Sequence, residues 1–205
     1  MKFIEIKHYV ANSFYSRPSF VLEMSDGRDY VSNGCEFVEM TEDNLTQLVI
    51  NYNCKIQLDE LLAAPAVDIA DITDGRYMFY GCDKLESFEH PILNLEYASG
   101  MFNGCEQLKT FTADMPNLKR ADIMFCNCNQ LETFTGLFAE LEDATCMFSG
   151  CAKLETFTSV MPNLENAGFM FLGCEKLETF TTDMPKLVNE YRMFAGCSKL
   201  KASTT

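Results

Sequence analysis

The sequence predicts a repeat solenoid preceded by a small α+β module. Three observations carry that prediction. Met78, Met101, Met124, Met147, Met170 and Met193 stand 23 residues apart with no insertion. Each opens the same phrase, with Phe next, Cys four places on and Leu seven places on, as in "MFNGCEQL" and "MFSGCAKL". Residues 1–54 carry no copy of it. A fixed period in the range of roughly 20–50 residues means one supersecondary unit stacked on itself.

From the N-terminus, "KFIEIKHYV" and "SFVLEM" read as strands, and "SDGR" as the hairpin turn leading into "DYV". "TEDNLTQLVINYN" (41–53) has a capping Thr41, an acidic first turn and Leu45, Leu48, Val49 and Tyr52 at helical spacing. Residues 1–54 are therefore an α+β module that caps the solenoid or attaches it to something else. Residues 55–77 read as a worn repeat and N-terminal cap, in which "IQLDELLAA" has helical spacing and stops at Pro65.

Residues 78–205 hold the six repeats. Each coil returns one strand spacing further on, about 4.8 Å, so like residues stack into ladders. One coil cannot bury its own apolar side chains, and neighbours must supply the second face. Cys82, Cys105, Cys128, Cys151, Cys174 and Cys197 form one such ladder. Stacked Cβ atoms lie further apart than the ~3.8 Å of a disulfide, which predicts free, buried thiols acting as small apolar fillers. The Gly before most of them, replaced by Asn127 in the third repeat, predicts a tight corner with an unusual backbone angle. Cys126 and Cys128 make only a C-x-C, short of zinc spacing. Glu190 and Ser203 put polar residues at inward positions of the last repeat, as a cap would.

The phrase "MFxGCxxLxxF" closely resembles the BspA-like leucine-rich repeats, the type also found in Treponema and Mycoplasma surface lipoproteins. The resemblance implies a right-handed leucine-rich-repeat solenoid with one short parallel β-strand per 23-residue repeat. It further implies a surface adhesin or protein-binding module, and it brings no catalytic residues.

Composition narrows the function classes. The net charge of −14 sets the chain against nucleic-acid phosphates and anionic membranes, so neither nucleic-acid binding nor membrane insertion is expected. "MKFIEIKHYV" lacks a signal peptide's apolar middle, which predicts a virion or cytoplasmic setting over classical export. A leader already removed would leave the cell surface open. The chain has two histidines, His8 and His90, and no G-x-S-x-G, P-loop or H-E-x-x-H. No catalytic residue, metal ligand or cofactor is expected.

The expected function is recognition of a protein or a glycan, with residues 1–77 attaching the solenoid to a bacterial-surface or phage-virion assembly. A cytoplasmic inhibitor of one protein target is the alternative. The expected binding face is the recurring "TFT": Thr110 and Thr112, Thr133 and Thr135, Thr156 and Thr158, Thr179 and Thr181, flanked by Glu132, Glu155 and Glu178. Such a grid also resembles that of β-solenoid antifreeze proteins, which makes ice binding a further alternative. Positions that vary between copies are the other place to look. Phe169 and Leu172 are apolar at positions that elsewhere tolerate polar residues, and they mark a contact patch.

Overall fold

The computed structural model describes residues 1–10, 18–32, 37–41, 62–64 and 66–201. The helix expected over 41–53, most of "IQLDELLAA" and Ser203 lie outside the described residues. Strands β1 (Phe3–Val10), β2 (Ser19–Met24), β3 (Asp29–Ser32) and β4 (Phe37–Glu39) form an antiparallel meander paired in chain order. The expected hairpin joins β2 to β3. Gly27 sits at φ 76° and its N–H donates to the Met24 carbonyl at 2.9 Å.

The repeats form the predicted solenoid. Each of the first five contributes one two-residue parallel strand: β5 (Ser87–Phe88), β6 (Thr110–Phe111), β7 (Thr133–Phe134), β8 (Thr156–Phe157) and β9 (Thr179–Phe180). The coils also meet along a second line of single-residue parallel bridges, running Asp74, Tyr97, Arg120, Asp143, Asn166, Asn189. After each bridge the backbone alternates its donors. In the first coil the N–H groups of Gly75, Tyr77, Phe79 and Gly81 donate to carbonyls of the next coil, 22 residues on. Those of Met78, Tyr80 and Cys82 donate three residues back. A two-residue strand therefore suffices, because the rest of the coil satisfies its polar groups without one.

This winding uses two left-handed residues per coil. One is the glycine, or Asn127, before the ladder cysteine, as expected. The other is the residue before each Met: Tyr77, Gly100, Ile123, Cys146, Phe169 and Arg192, all with φ between 51° and 63°. For the non-glycine members the conformation costs roughly 1–2 kcal/mol each, and the bonds to neighbouring coils hold it. The N–H of Ile123, for example, donates to Thr145 at 2.8 Å.

Inside, two phenylalanine ladders run the length of the solenoid. Phe79, Phe102, Phe125, Phe148, Phe171 and Phe194 stack with centroids 5.2–5.7 Å apart and planes within 7°. Phe88, Phe111, Phe134, Phe157 and Phe180 form the second stack, and members of the two stacks meet edge to face at 4.7–5.6 Å. The cysteine ladder is free, as predicted, and it is also a donor ladder. Each thiol from Cys105 to Cys197 donates to the carbonyl of the phenylalanine 26 residues earlier, at 3.1–3.2 Å. That carbonyl already accepts an N–H from its own coil, so the thiol takes its second lone pair.

The N-terminal sheet continues the same stack. Lys2 bridges Ser87 in parallel, and the Glu86 N–H donates to the Met1 carbonyl as the Lys109 N–H donates to Glu86. Phe3 then lies 6.0 Å from Phe88 and edge-on to Phe79, in the place of a preceding rung. One rung departs from the regular pattern. The strand sheet divides into β5-β6-β7 and β8-β9, while the bridge line continues from Asp143 to Asn166. Phe138 stands there in place of Met115, Met161 and Met184, and its ring stacks on Phe134 at 5.6 Å. The break in strand pairing falls at this larger ring, while Phe134 and Phe157 keep a centroid distance of 5.5 Å.

Candidate binding face

Two outward surfaces result. On the strand face the threonines point out, opposite the buried phenylalanines. Thr112, Thr133, Thr135, Thr156, Thr158, Thr179 and Thr181 are exposed and Thr110 is half-buried. The Thr columns are interrupted between β7 and β8, so the grid is two short lattices. The acidic row beside it is paired: Glu132 with Lys153 at 3.0 Å, Glu155 with Lys176 at 3.9 Å and Glu178 with Lys199 at 3.3 Å. Surface pairs of this kind contribute little to stability, but they leave the row close to neutral.

The second surface follows the bridge line and was not singled out from the sequence. Ala98, Ala121, Ala144 and Ala167 point inward there, so the residues on either side of each point out. They form two columns. One is Asp74, Tyr97, Arg120, Asp143, Asn166, Asn189, and the other is Arg76, Ser99, Asp122, Thr145, Gly168, Tyr191. In the first column, Asp or Asn has a backbone task. The side-chain oxygens of Asp74, Asp143, Asn166 and Asn189 each accept the N–H two residues on, at 3.0–3.1 Å. This local turn is the ordinary preference of Asx residues. Tyr97 and Arg120 replace Asx with side chains that cannot make it.

These two departures stand together. With Arg76, Tyr77, Ser99 and Asp122 they line an open groove of about 380 Å³. Its polar groups are pre-oriented. Arg76 binds Asp74 through Nε at 2.9 Å and Nη2 at 2.6 Å, which raises the guanidinium pKa above its ordinary value. The Ser99 hydroxyl donates to Asp122 at 2.6 Å. Arg120 Nη2 donates to Asp143 at 3.1 Å, with its Nε 3.7 Å from Asp122. Tyr97 is 40% exposed. The ring of Tyr77 lies against Gly100, where an added Cβ would come within 2.5 Å of it.

At the other end of the same face the surface turns apolar. Tyr191, 59% exposed, packs edge-on against Phe169 at 5.2 Å, and Arg192 lies over the Tyr191 ring at 5.5 Å. Leu172 and Val188 are exposed nearby in sequence. The sequence-predicted pair thus divides: Leu172 is open, and Phe169 is half-buried under Tyr191. Tyr97, Arg120 and Tyr191 are not legible from identity between copies, because each differs from its counterparts. Reading the column four places before each Met for its departures from Asx finds Tyr97 and Arg120; the column of Tyr191 has no common residue to depart from.

His90 packs edge-on against Phe3 at 5.2 Å, among apolar rings. Among the described residues no three His, Cys, Asp or Glu side chains are placed to hold a metal. Burial raises the ladder thiols, Cys82 to about 12 and Cys105, Cys128 and Cys151 further, so they remain protonated and unreactive at neutral pH. No described helix is long and apolar enough to cross a membrane.

A family model described as the BspA type leucine rich repeat region matches residues 72–201 in six copies, more than half of the chain. No curated protein and no solved structure matches.

Proposed function

The chain belongs to the BspA-type leucine-rich repeat family, and from that premise we propose that it is a non-enzymatic recognition protein whose variable bridge face holds a protein partner. The observation that supports this reading is the Asx column. Where the coil needs only its own turn, the residue is Asp or Asn; at Tyr97 and Arg120 the turn is given up for large, exposed side chains. A rigid, pre-formed face that varies only in its side chains binds with little ordering cost.

The experiment uses the full chain as bait in an extract of its native source. Tyr97→Asn with Arg120→Asn restores the column's Asx residue, while Thr133→Lys with Thr156→Lys alters the strand face. The expected result is that a protein captured by the wild type is lost with the first variant and kept with the second. Loss with the second and retention with the first would place recognition on the Thr/Glu strand face instead.

A further inference from the structure

We propose that the groove lined by Arg76, Tyr77, Tyr97, Ser99, Arg120 and Asp122 is a subsite for a neutral saccharide. The proposal rests on the reading of the bridge face as the recognition surface and names the chemistry of one part of it. The size of the groove is that of a small-ligand site. A chain segment in extended or helical form would engage a longer stretch of the face.

Charge selects the ligand class. The groove holds two guanidinium groups, Arg76 and Arg120, and among the described residues three carboxylates touch them, Asp74, Asp122 and Asp143. Each cation is already balanced, so neither a phosphate nor a sulfate is called for. The single carboxylate in excess is engaged by Ser99 or by a backbone N–H, which leaves no naked acid for a metal or an ammonium group. What remains is a set of fixed donors and acceptors beside aromatic faces. Arg120 Nη1 has no partner among the described residues, and one oxygen of Asp122 lies beyond its bond to Ser99. A vicinal pair of hydroxyls, which both donate and accept, satisfies a guanidinium edge and a carboxylate together. Tyr97 presents an exposed ring for the apolar C–H face of a sugar, and such rings carry an apolar body with a polar tip.

Placement of the tyrosines is consistent with a built site. The residue before each Met is left-handed in every coil, and only coil two has glycine there, at Gly100. That glycine is what the Tyr77 ring lies on, since any Cβ would collide with it. The aromatic pose in the groove therefore depends on a residue choice made once along the repeat.

The test is ligand-observed saturation-transfer NMR on the full chain, with cellotetraose, maltotetraose and chitotetraose as probes up to about 10 mM, where millimolar affinities register. Sialyllactose and lactose form an anionic and neutral pair. At least one neutral tetrasaccharide is expected to receive saturation on its ring protons, and Tyr97→Asn and Asp122→Ala are each expected to reduce it about tenfold with an unchanged thermal midpoint. The bound tetrasaccharide is then offered free and coupled to serum albumin. Equal binding identifies a free oligosaccharide as sufficient, and binding of the conjugate alone identifies a glycoprotein glycan; both sustain the saccharide class. No transfer to any probe, transfer unaffected by both variants, or preference for sialyllactose over lactose overturns it. If saccharides fail while Tyr97→Asn with Arg120→Asn still loses its protein partner, this inference falls alone. If saccharides bind and protein capture is indifferent to that variant, the protein reading falls alone.

Discussion

On the strand face Thr110 pairs with Thr133; on the bridge face Tyr97 sits next to Arg120. The backbone between coils is alike in both places, but the side chains differ in what they leave over. Identical neighbours saturate one another: the threonines repeat, and each Glu of the row finds a Lys 21 residues on. Different neighbours do not, and the groove at Tyr77, Tyr97 and Arg120 is the remainder. In this molecule repetition holds the stack together, and variation on its outside is available for a partner. The comparison can be broken by showing that repeated positions are dispensable or that varied ones are not.

The largest effect belongs to the repeated thiols. Cys82, Cys105, Cys128, Cys151 and Cys174 are all raised by burial above the ordinary thiol value of 9.0. The native thiols keep their protons where the unfolded ones lose them. Their contribution is therefore complete below about pH 9 and is lost as pH rises towards the native values. Each thiol removes about 1.4 kcal/mol per pH unit in that window, so five together remove several kcal/mol between pH 8 and 10. Urea unfolding followed across this range should show the steep fall. A flat profile would mean that the ladder is open to solvent.

A single repeated ring comes next. Phe125 stacks on Phe102 and Phe148 and meets Phe111 and Phe134 edge-on. Phe125→Ala is expected to cost about 3–5 kcal/mol in urea unfolding. Tyr97→Asn on the varied face is expected to stay within about 0.5 kcal/mol of wild type. Similar costs for the two would erase the distinction between the repeated interior and the varied face.

How much of this was legible in the sequence follows the same division. Identity at a spacing of 23 gives the coil, the ladders, the free thiols and the glycine corner directly, because each depends on like lying over like. The thiol-to-carbonyl bond was hidden because it joins residues 26 apart, one coil plus a turn, and no pattern of side chains encodes it. The left-handed residue before each Met was hidden because Ile123, Cys146 and Phe169 are poor choices for it, and only hydrogen bonds between coils enforce it. β1 looked like part of a separate module because Phe3 occurs once, though it fills a rung of the stack. The expected Thr/Glu face was read from the strongest pattern, while Tyr97 and Arg120 show only as departures from the Asx column.

The interrupted rung offers a smaller and more local test. Gly136 tolerates no Cβ there, since one would lie 2.9 Å from both the Ala113 carbonyl and the Phe138 ring. The two residues are a matched exception, and the other coils carry neither. Amide hydrogen exchange at Glu155 and Thr158 is expected to be fast beside Glu178 and Thr181, whose N–H groups donate to Glu155 and Phe157. Phe138→Met should slow exchange at Glu155 and Thr158 by letting β8 close on β7, with a stability change of no more than about 1.5 kcal/mol. Unchanged exchange would show that Phe138 is not what parts the strands.

The smallest effect concerns the junction of the two regions. Ser87 stands in the first rung where later coils carry Thr, under the bridge from Lys2, and its hydroxyl is buried with no partner among the described residues. A buried hydroxyl without a bond opposes folding, and removing it returns that cost. Ser87→Ala is therefore expected to be neutral or stabilising by up to about 1 kcal/mol in urea unfolding, whereas Thr133→Ala on the open strand face should shift stability by less than about 0.5 kcal/mol in either direction. A clear loss on Ser87→Ala would mean that the hydroxyl is bonded at the seam. The N-terminal strand would then be held there by a specific polar contact in addition to stacking as one more rung.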